Sequence, residues 1–316
     1  MRGQDISKRV FTYTATVKDE GRPVRDIILY RWGMVHHDVA RAKYDTQNGI
    51  TVNGEVSFVN RKLRKGDVLR VILTDFPPEN IIPEEHPIEV AYEDWDIICL
   101  NKPAGVVVHP SHGHYSDSLA NYLAFYFQMK GEPHEIRTVG RLDKDTSGLV
   151  LFAKSRTMAA HMTTQADKGI HTKTYYALAE GEFAERSGRI EAPIEREFAG
   201  ARKRVAREGG DYALTEYEVI RQYEGYAFLR VRIATGRTHQ IRVHMSHIGH
   251  PLLGDSIYNE GRGSAGPNRA ALHAGEIAFH QPFTGEDIRL RARLPDDFLP
   301  FLPDLEANYR AAQDFQ

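Results

Sequence analysis

The sequence predicts an α+β protein in which a large domain, built on a mixed, mainly antiparallel β-sheet with flanking helices, follows a small α+β domain. Three observations favour this fold class. Short segments that alternate apolar and polar residues recur along the chain, helical patterns are few, and a proline-rich stretch separates two parts that both contain strands. The length of 316 residues also favours two domains over one.

Composition narrows the class of protein. Hydrophobic residues make up 41% of the chain, which is enough for a sizeable core. Residues 1–10 are polar and basic, and no later run approaches the ~18 apolar residues that span a bilayer, so we expect a cytoplasmic protein with no membrane partner. The single cysteine, Cys99, follows Ile98 in an apolar run and is expected in the core, and it can form no disulfide within the chain.

The formal net charge of −2 does not favour nonspecific binding to a polyanion, but the charges are unevenly distributed. Basic residues concentrate in two patches, with Lys62 and Arg64 in the first and Arg202, Lys203 and Arg204 in the second. The stretch after Pro295 is acid-rich, and we expect residues 301–316 to form an acidic C-terminal tail. Two local basic surfaces therefore remain available for an anionic partner.

Residues 1–75 predict the small domain. Its expected elements are a strand at Thr12–Val17, short helices at Asp26–Trp32 and His37–Lys43, and strands at Ile50–Val52 and Val68–Leu73. Asn53-Gly54 predicts a tight hairpin turn because both residues tolerate positive φ. Residues 76–87 contain four prolines and predict an extended linker to the large domain.

Two helices followed by Val52-Asn53-Gly54 and by the segment Leu63–Val71 resemble the small RNA-binding domain shared with ribosomal small-subunit protein S-four. The resemblance covers about residues 12–75. It implies that residues 1–75 form an RNA-binding domain in which Lys62 and Arg64 contact RNA. The alternative is a structural module whose charged residues form a solvated face.

Residues 88–300 predict the large domain. Its expected strands are Ile88–Tyr92, Asp96–Asn101, Val106–Pro110, Leu149–Ala153, Lys173–Ala179, Leu214–Ile220 and Phe228–Ile233. Its expected helices lie near Ser118–Met129, between the N-cap Ser155 and Gly169, and at His239–His247. Many strands with few helices between them predict a mainly antiparallel sheet.

The stretch Gly140–Lys154 joins a charged loop to an apolar strand, a common place for chemistry. A free aspartate has a pKa of about 3.9, so Asp143 would be ionised at pH 7 and suited to act as a nucleophile or an electrostatic stabiliser. An arginine from elsewhere in the chain is expected to pair with it. Asp145, two residues further on, leaves a pair of carboxylates for glycoside hydrolysis open as an alternative.

Two further segments carry candidate site residues. If residues 239–247 are helical, His239 and Arg242 lie three apart on one face, and either could line a pocket. On a strand, Lys173 and Tyr175 share a face while Tyr176 points to the other, so Tyr175 could present its ring to a base with a cation beside it. Packing within the sheet is the alternative role for Tyr175.

Several long motifs follow one another in the second part of the chain. They are Asn-Lys-Pro-Ala-Gly at 101–105 with His109-Pro110, Gly-Arg-Leu-Asp-Lys-Asp-Thr-Ser-Gly-Leu at 140–149, Lys-Thr-Tyr at 173–175, Gly-Arg-Thr-His-Gln-Ile-Arg-Val-His at 236–244, Gly249-His250-Pro251, Gly254-Asp255, Leu272-His273-Ala274 and Pro282-Phe283-Thr284. In this order, over residues 88–295, they resemble the RluA family of pseudouridine synthases. One departure is Gly140, where the family often has histidine, and we expect it to affect the packing of the loop rather than the activity.

The resemblance implies the pseudouridine synthase fold and an isomerase that converts uridine in RNA to pseudouridine without cofactor or metal. Asp143 would be the catalytic carboxylate and Arg242 its ion-pair partner. Tyr175 would pack against the target base and act in proton removal from carbon 5, and Arg141 would fill the gap left by the flipped uridine. Further contacts to RNA are expected from Lys173, Arg202, Lys203, Arg204, Lys62 and Arg64.

Structured RNA is the expected partner, with large-subunit ribosomal RNA ahead of transfer RNA, and a monomer is expected. Three competing interpretations stay open at this point. They are a hydrolase using Asp143 and Asp145, a noncatalytic RNA-binding protein, and a metal enzyme using the histidines at 239, 244, 247 and 250. The spacing of these histidines matches no well-known helical zinc motif and no cysteine is near them, so we expect no metal.

Overall fold

Two β-sheets and a separate two-stranded hairpin form the framework of the computed structural model, which describes residues 8–74, 80–132, 134–259 and 266–304. The strands of these residues are β1 (Lys8–Thr14), β2 (Ile50–Val52), β3 (Glu55–Val56), β4 (Val68–Thr74), β5 (Glu89–Glu93), β6 (Ile97–Lys102), β7 (Arg137–Val139), β8 (Ser147–Ala153), β9 (Thr172–Glu180), β10 (Ser187–Glu191), β11 (Ile194–Arg196), β12 (Arg204–Ala206), β13 (Leu214–Tyr223), β14 (Tyr226–Ile233), β15 (Leu272–His280) and β16 (Asp287–Arg291). The helices are α1 (Val24–Asp26), which continues as a π-helical turn (Ile27–Arg31), α2 (His36–Tyr44), α3 (Leu119–Lys130), α4 (Arg156–Asp167) and α5 (Gln240–His247). Within the described ranges, no helix is long and apolar enough to cross a membrane.

The N-terminal unit, residues 8–74, is a four-stranded antiparallel sheet in the order β1–β4–β2–β3 with its own apolar core. Asn53 and Gly54, at φ 54° and 85°, form the predicted turn between β2 and β3. The predicted helix at residues 26–32 begins earlier, at Val24, directly after Pro23 at the N-cap. Val24 and Ile28 are completely buried, so the helical segment closes one side of this core.

The large sheet has the strand order β10–β13–β14–β9–β15–β8–β6–β5, with β16 added to β15 and β7 added to β8. All of its pairs are antiparallel except β15 with β8, where His273 lies opposite Ser147. The predicted fold class, α+β with a mixed, mainly antiparallel sheet and flanking helices, is confirmed. The order also places β15 between β8 and β9, so β15 pairs with two strands from which it is distant in the sequence.

Local signals set the ends of the two long helices. Ser118 caps α3 by accepting a hydrogen bond from the Asn121 backbone N–H, and Gly131 ends it in the left-handed conformation. Ser155 caps α4 in the same way through Met158, as predicted. Gly169, at φ +68°, follows the end of α4 and allows the chain to turn back toward β9.

The predicted strand at Val106–Pro110 is wrong. The carbonyl of Val106 accepts a hydrogen bond from the Lys102 ammonium at 2.7 Å. The carbonyls of Val107 and Val108 accept from the first backbone N–H groups of α3, Leu119 at 2.9 Å and Ala120 at 3.1 Å. These carbonyls are used by a side chain and a helix start, so no strand ladder forms here.

The chain enters and leaves the large sheet through packed segments. Residues 80–88 contain no regular element, and the Ile82 carbonyl accepts a hydrogen bond from the Asn121 side chain. At the other end, Phe298 and Leu302 are fully buried against Leu178 and Phe228. Residues 76–79 of the predicted linker and 305–316 of the predicted acidic tail lie outside the described residues, so the linker and tail stay predictions.

Candidate active site

A cavity of about 750 Å³ opens where the loop 138–146, the start of β9, the last turns of α4 and the loop before α5 meet. Its wall includes five of the predicted site residues, which are Arg141, Asp143, Lys173, Tyr175 and Arg242. They come from three separate segments of the chain. The fold therefore assembles in one place what the sequence suggested only piece by piece.

The Asp143 carboxylate lies at the cavity wall with 15% of its side chain exposed, and its Oδ2 is 3.8 Å from Arg242 Nη1. This confirms the predicted pairing with a distant arginine, although at a distance too long for a hydrogen bond. Arg242 is bound more tightly elsewhere. Its Nε and Nη2 each donate to Asp255 at 2.7 Å, and the Asp255 side chain is fully buried. Asp255 therefore anchors the guanidinium group and leaves Nη1 directed at Asp143.

The start of α5 places Arg242 in this position. His239 precedes the helix at φ 59°, a left-handed conformation that turns the chain sharply into the first helical residue, Gln240. His239 is therefore the cap of the helix and not a member of its face, which corrects the predicted helical pairing with Arg242. Its Nδ1 lies 2.9 Å from the hydroxyl of Tyr258, and the Arg242 guanidinium lies 5.2 Å from the centre of the Tyr258 ring.

Tyr175 and Lys173 lie on the cavity face of β9, while the Tyr176 hydroxyl reaches Glu276 on the opposite face, as the alternation predicted. Tyr175 is 5% exposed. Burial raises the pKa of its phenol well above the usual range, and the nearby charge of Asp143 raises it further. The hydroxyl is therefore protonated at neutral pH and does not act as a free phenolate.

Burial lowers the pKa of Lys173 to about 8, and its ammonium donates to the carbonyl of Val139 at 3.3 Å. The backbone at Gly140 has φ +75°, a left-handed conformation that favours glycine. A Cβ there would also lie 2.9 Å from Lys173 Nζ, which is the far end of a flexible side chain. The backbone conformation is therefore the stronger reason for glycine at this position.

Two cations that the sequence interpretation did not assign hold the loop around Asp143. Lys102 is 1% exposed, and its ammonium donates to the carbonyls of Pro103, Val106 and Lys144 at 2.7–2.9 Å. Burial lowers its pKa to about 7. Arg269 donates to the carbonyl of Asp145 at 3.0 Å. The two backbone carbonyls that follow Asp143 are therefore both held by cationic side chains.

The remaining predicted residues lie elsewhere. Asp145 does not line the cavity, so the two carboxylates proposed for a hydrolase do not face one site. Lys62 and Arg64 are exposed in the turn before β4, and Arg202, Lys203 and Arg204 lie at or beside the tip of the β11–β12 hairpin. None of these five basic residues belongs to the cavity wall.

The four clustered histidines are dispersed by the fold. His244 is buried between the Thr215 hydroxyl and the Ala192 carbonyl, both at 2.9 Å. His250 Nδ1 lies 2.7 Å from the carbonyl of Glu180. Within the described parts of the chain, no group of three or more histidine, cysteine, aspartate or glutamate side chains has the geometry of a metal site.

Asp255 and Lys102 both lie within the sequence motifs, but the sequence assigned neither of them a role. Asp255 follows Gly254 in a short motif, and its neighbour in space, Arg242, lies on the other side of a loop. A buried acidic residue among apolar neighbours was the available signal, since such a residue needs a partner. Tyr258 and Arg269 carried no comparable signal in the sequence.

Comparison with known proteins agrees with this fold. The family described as RNA pseudouridylate synthase matches residues 96–247. An uncharacterized RNA pseudouridine synthase of Bacillus subtilis, YhcT, is 38% identical over 250 residues, which are 78% of this chain and 82% of the relative. Ribosomal large subunit pseudouridine synthase D of Pasteurella multocida is 36% identical over 299 residues, 88% of this chain and 90% of the relative.

A solved structure, human RNA pseudouridylate synthase domain containing 1, superposes with a TM-score of 0.56 at 28% identity, over 68% of this chain and 86% of the human chain. The fold and these relatives thus define an isomerase that acts on RNA. The chain belongs to the RNA pseudouridine synthase family, as its resemblance to the RluA group predicted.

Proposed function

We propose that this protein isomerises uridine to pseudouridine in large-subunit ribosomal RNA, with Asp143 as the catalytic carboxylate. The observation that carries the proposal is the position of Asp143 in the wall of a 750 Å³ cavity, beside the anchored Arg242 and the ring of Tyr175. Two relatives named ribosomal large subunit pseudouridine synthase D, from Pasteurella multocida and Haemophilus influenzae, support ribosomal RNA as the substrate.

In this reaction the bond between ribose C1′ and uracil N1 breaks and a bond from C1′ to carbon 5 forms. It needs a group that attacks or stabilises the electron-poor carbon in between. The hydrogen leaves carbon 5 and N1 gains a proton, so the overall composition is unchanged. Asp143 supplies an ionised carboxylate for this, as a nucleophile toward the ribose or the base or as a base that assists a glycal intermediate. Arg242, held by Asp255, faces the carboxylate with a fixed positive charge.

Tyr175 and Arg141 complete the site in this proposal. The buried ring of Tyr175 offers a face for the target uracil. Its hydroxyl is protonated, so it can accept the carbon-5 proton only while it passes its own proton to solvent water in the cavity. Arg141 is exposed at the cavity rim, where it would occupy the space of the flipped nucleotide. Lys173 adds a positive charge for RNA phosphate.

RNA outside the cavity would meet the two basic patches. The N-terminal unit would act as the S-four-like RNA-binding domain through Lys62 and Arg64, and the β11–β12 hairpin would contribute Arg202, Lys203 and Arg204. We further propose that the enzyme acts as a cytoplasmic monomer without cofactor or metal. These last parts rest on the sequence alone.

Replacing Asp143 with asparagine tests the role of the carboxylate. We expect loss of tritium release from carbon 5 of labelled uridine, with RNA affinity within about twofold of the native value because the shape and position of the side chain are kept. Asp145→Asn is the matched control, since Asp145 lies two residues away but outside the cavity wall. Normal turnover by the Asp143→Asn enzyme would overturn the assignment.

The substrate is tested separately by mapping pseudouridines in cells with and without the protein. The proposal expects one or a few uridines of large-subunit ribosomal RNA to lose the modification. Restoration by the native enzyme but not by Asp143→Asn would tie the loss to the cavity. If modifications are lost only from transfer RNA, the substrate would be transfer RNA, and the proposed reaction at Asp143 would be unaffected.

A further inference from the structure

The N-terminal unit is packed against the large sheet through buried polar and aromatic contacts. The central one joins Asp38 of α2 to Thr157 in the first turn of α4. Asp38 Oδ2 accepts from the backbone N–H of Thr157 at 3.0 Å and from its hydroxyl at 2.6 Å. Asp38 is 4% exposed and Thr157 is 1% exposed, so this contact is fully enclosed.

Asp38 acts as an N-terminal cap for α4, a function that residues adjacent to the helix in sequence usually perform. The first N–H groups of a helix have no partner within it, and a negative charge at this end is favourable. The Ser155 hydroxyl accepts a hydrogen bond from the backbone N–H of Met158, and Asp38, from another part of the chain, accepts one from the backbone N–H of Thr157. The Thr157 hydroxyl also accepts from the backbone N–H of Val35 at 3.2 Å, which ties the start of α2 to the same point.

Further contacts along the same boundary make the arrangement specific. His161, one turn along α4, has its Nε2 2.9 Å from the carbonyl of Trp32. A Cβ on Gly33 would lie 2.4 Å from the His161 ring, so glycine is needed for this approach. The rings of Phe11 and Phe283 meet edge to face at 5.1 Å.

Ion pairs close both sides of this boundary. Arg41 Nη1 pairs with Glu135 at 2.7 Å, and Arg9 Nη2 pairs with Asp96 at 3.1 Å. Beside the Arg9–Asp96 pair lies a void of about 10 Å³ whose lining includes Phe11 and Thr157, one from each side of the boundary. Charged, polar and aromatic contacts therefore all cross this boundary.

The other end of α4 belongs to the candidate active site. Met162, Thr163, Ala166 and Asp167 all line the 750 Å³ cavity. Met158 and Met162 are completely buried against the core under β8, the strand that follows the Asp143 loop. A displacement of the first turn of α4 would therefore be transmitted along a short, rigid element to the cavity wall.

We propose that Asp38 is a positioning residue for the active site, through which the N-terminal unit fixes α4 and with it one wall of the cavity. The N-terminal unit is then a structural part of the catalytic apparatus as well as an RNA-binding module. This inference rests on the proposed function, because it takes the cavity as the site of the reaction.

A flexible tether would behave differently. If the N-terminal unit served only to capture RNA, loss of the Asp38 contact would change RNA affinity and leave the rate of the bound complex unchanged. If Asp38 positions the cavity wall, the rate at saturating RNA falls while affinity is kept. The two roles are separated by single-turnover kinetics combined with a binding measurement.

The test uses full-length Asp38→Ala, with Asp45→Ala as the matched control because Asp45 is exposed on the same unit. We expect the single-turnover rate at saturating RNA to fall by about 10- to 100-fold in Asp38→Ala, the size of effect that a small misplacement of catalytic groups produces. RNA affinity should stay within about twofold of the native value, and Asp38→Asn, which keeps one accepting oxygen, should restore most of the rate.

Hydrogen exchange provides a readout that does not depend on activity. The amides of residues 157–167 should exchange faster in Asp38→Ala than in the native protein. In Asp45→Ala their exchange rates should equal those of the native protein. Should Asp38→Ala fail to fold, Thr157→Val removes the hydroxyl donor while keeping the volume and should shift rate and exchange in the same direction by a smaller amount.

Native single-turnover rates with unchanged exchange at 157–167 would overturn the inference, and so would a loss confined to RNA affinity. Failure of the proposed function would look different. Full activity of Asp143→Asn would remove the cavity as the reaction site, whereas the exchange of α4 would still report on the Asp38 contact.

Discussion

Arg242 and Asp255 form a buried bidentate ion pair, with two nitrogen-to-oxygen distances of 2.7 Å, whereas the same guanidinium lies 3.8 Å from Asp143. The oxygen Oδ1 of Asp255 also accepts from the backbone N–H groups of Ile257 and Tyr258 at 3.0 and 3.2 Å. Asp255 is therefore fully satisfied, and the arginine is held by one carboxylate and presented to another. This arrangement keeps Asp143 available for reaction.

Replacing Asp255 with asparagine is expected to lower both stability and turnover. The substitution leaves a buried guanidinium without its full counter-charge, a loss of about 3–5 kcal/mol for a broken buried pair. Urea unfolding measures the stability, and tritium release measures turnover. Glu218→Gln is the control, since its pair with Arg230 is exposed and should contribute less than about 1 kcal/mol. Native stability in Asp255→Asn would contradict the anchoring role.

Replacing Tyr175 with phenylalanine should abolish most turnover while leaving RNA affinity within about twofold, because the ring still packs but the hydroxyl is gone. Leucine at this position should reduce both turnover and RNA affinity. Filter binding and tritium release distinguish the two effects. Tyr176→Phe is the control, as its hydroxyl bonds Glu276 on the opposite face of β9. Full turnover in Tyr175→Phe would limit Tyr175 to packing.

RNA affinity should weaken as pH rises through about 8, the pKa to which burial lowers Lys173. Phosphate favours the charged ammonium, so the contact is present below this pH and is lost above it. The nearby Cys99 and His171 do not titrate in this window, because burial raises the thiol pKa to about 12 and lowers the imidazole pKa to about 4.

Lys173→Arg is the control for this pH effect, since arginine stays charged. Dissociation constants measured from pH 7 to 9 should rise severalfold in the native enzyme and change little in the arginine variant. Parallel curves for the two proteins would show that another group, or the RNA itself, controls the pH dependence.

Removing the charges of Arg202 and Lys203 should weaken RNA binding and reduce its dependence on salt, because each lost phosphate contact lowers the slope of log affinity against log salt by about 1. The rate at saturating RNA should not change, since neither residue lines the cavity. Arg221→Ala, an exposed arginine paired with Asp304, is the control. An unchanged salt slope in the double variant would remove the hairpin from the RNA surface.

Local patterns predicted most of the secondary structure because they report short-range interactions. The Asn53-Gly54 turn, the Ser155 cap and the alternation on β9 were correct for this reason. The strand predicted at 106–110 was wrong because the Lys102 side chain and the start of α3 bind its carbonyls, and the apolar pattern of the segment does not record these contacts. Strands β7, β10, β11, β12, β15 and β16 were missed, since their patterns are weak without their neighbours.

The fold class and the family motifs could be read from the sequence, and so could the residue types of the candidate site, Asp143, Tyr175 and Arg242 among them. The sequence did not reveal that Asp255 holds Arg242, or that Asp38 caps a helix 119 residues away. Helix caps and strand alternation depend on adjacent residues, whereas these pairs depend on strand order and packing, which bring together groups that carry no local record of each other.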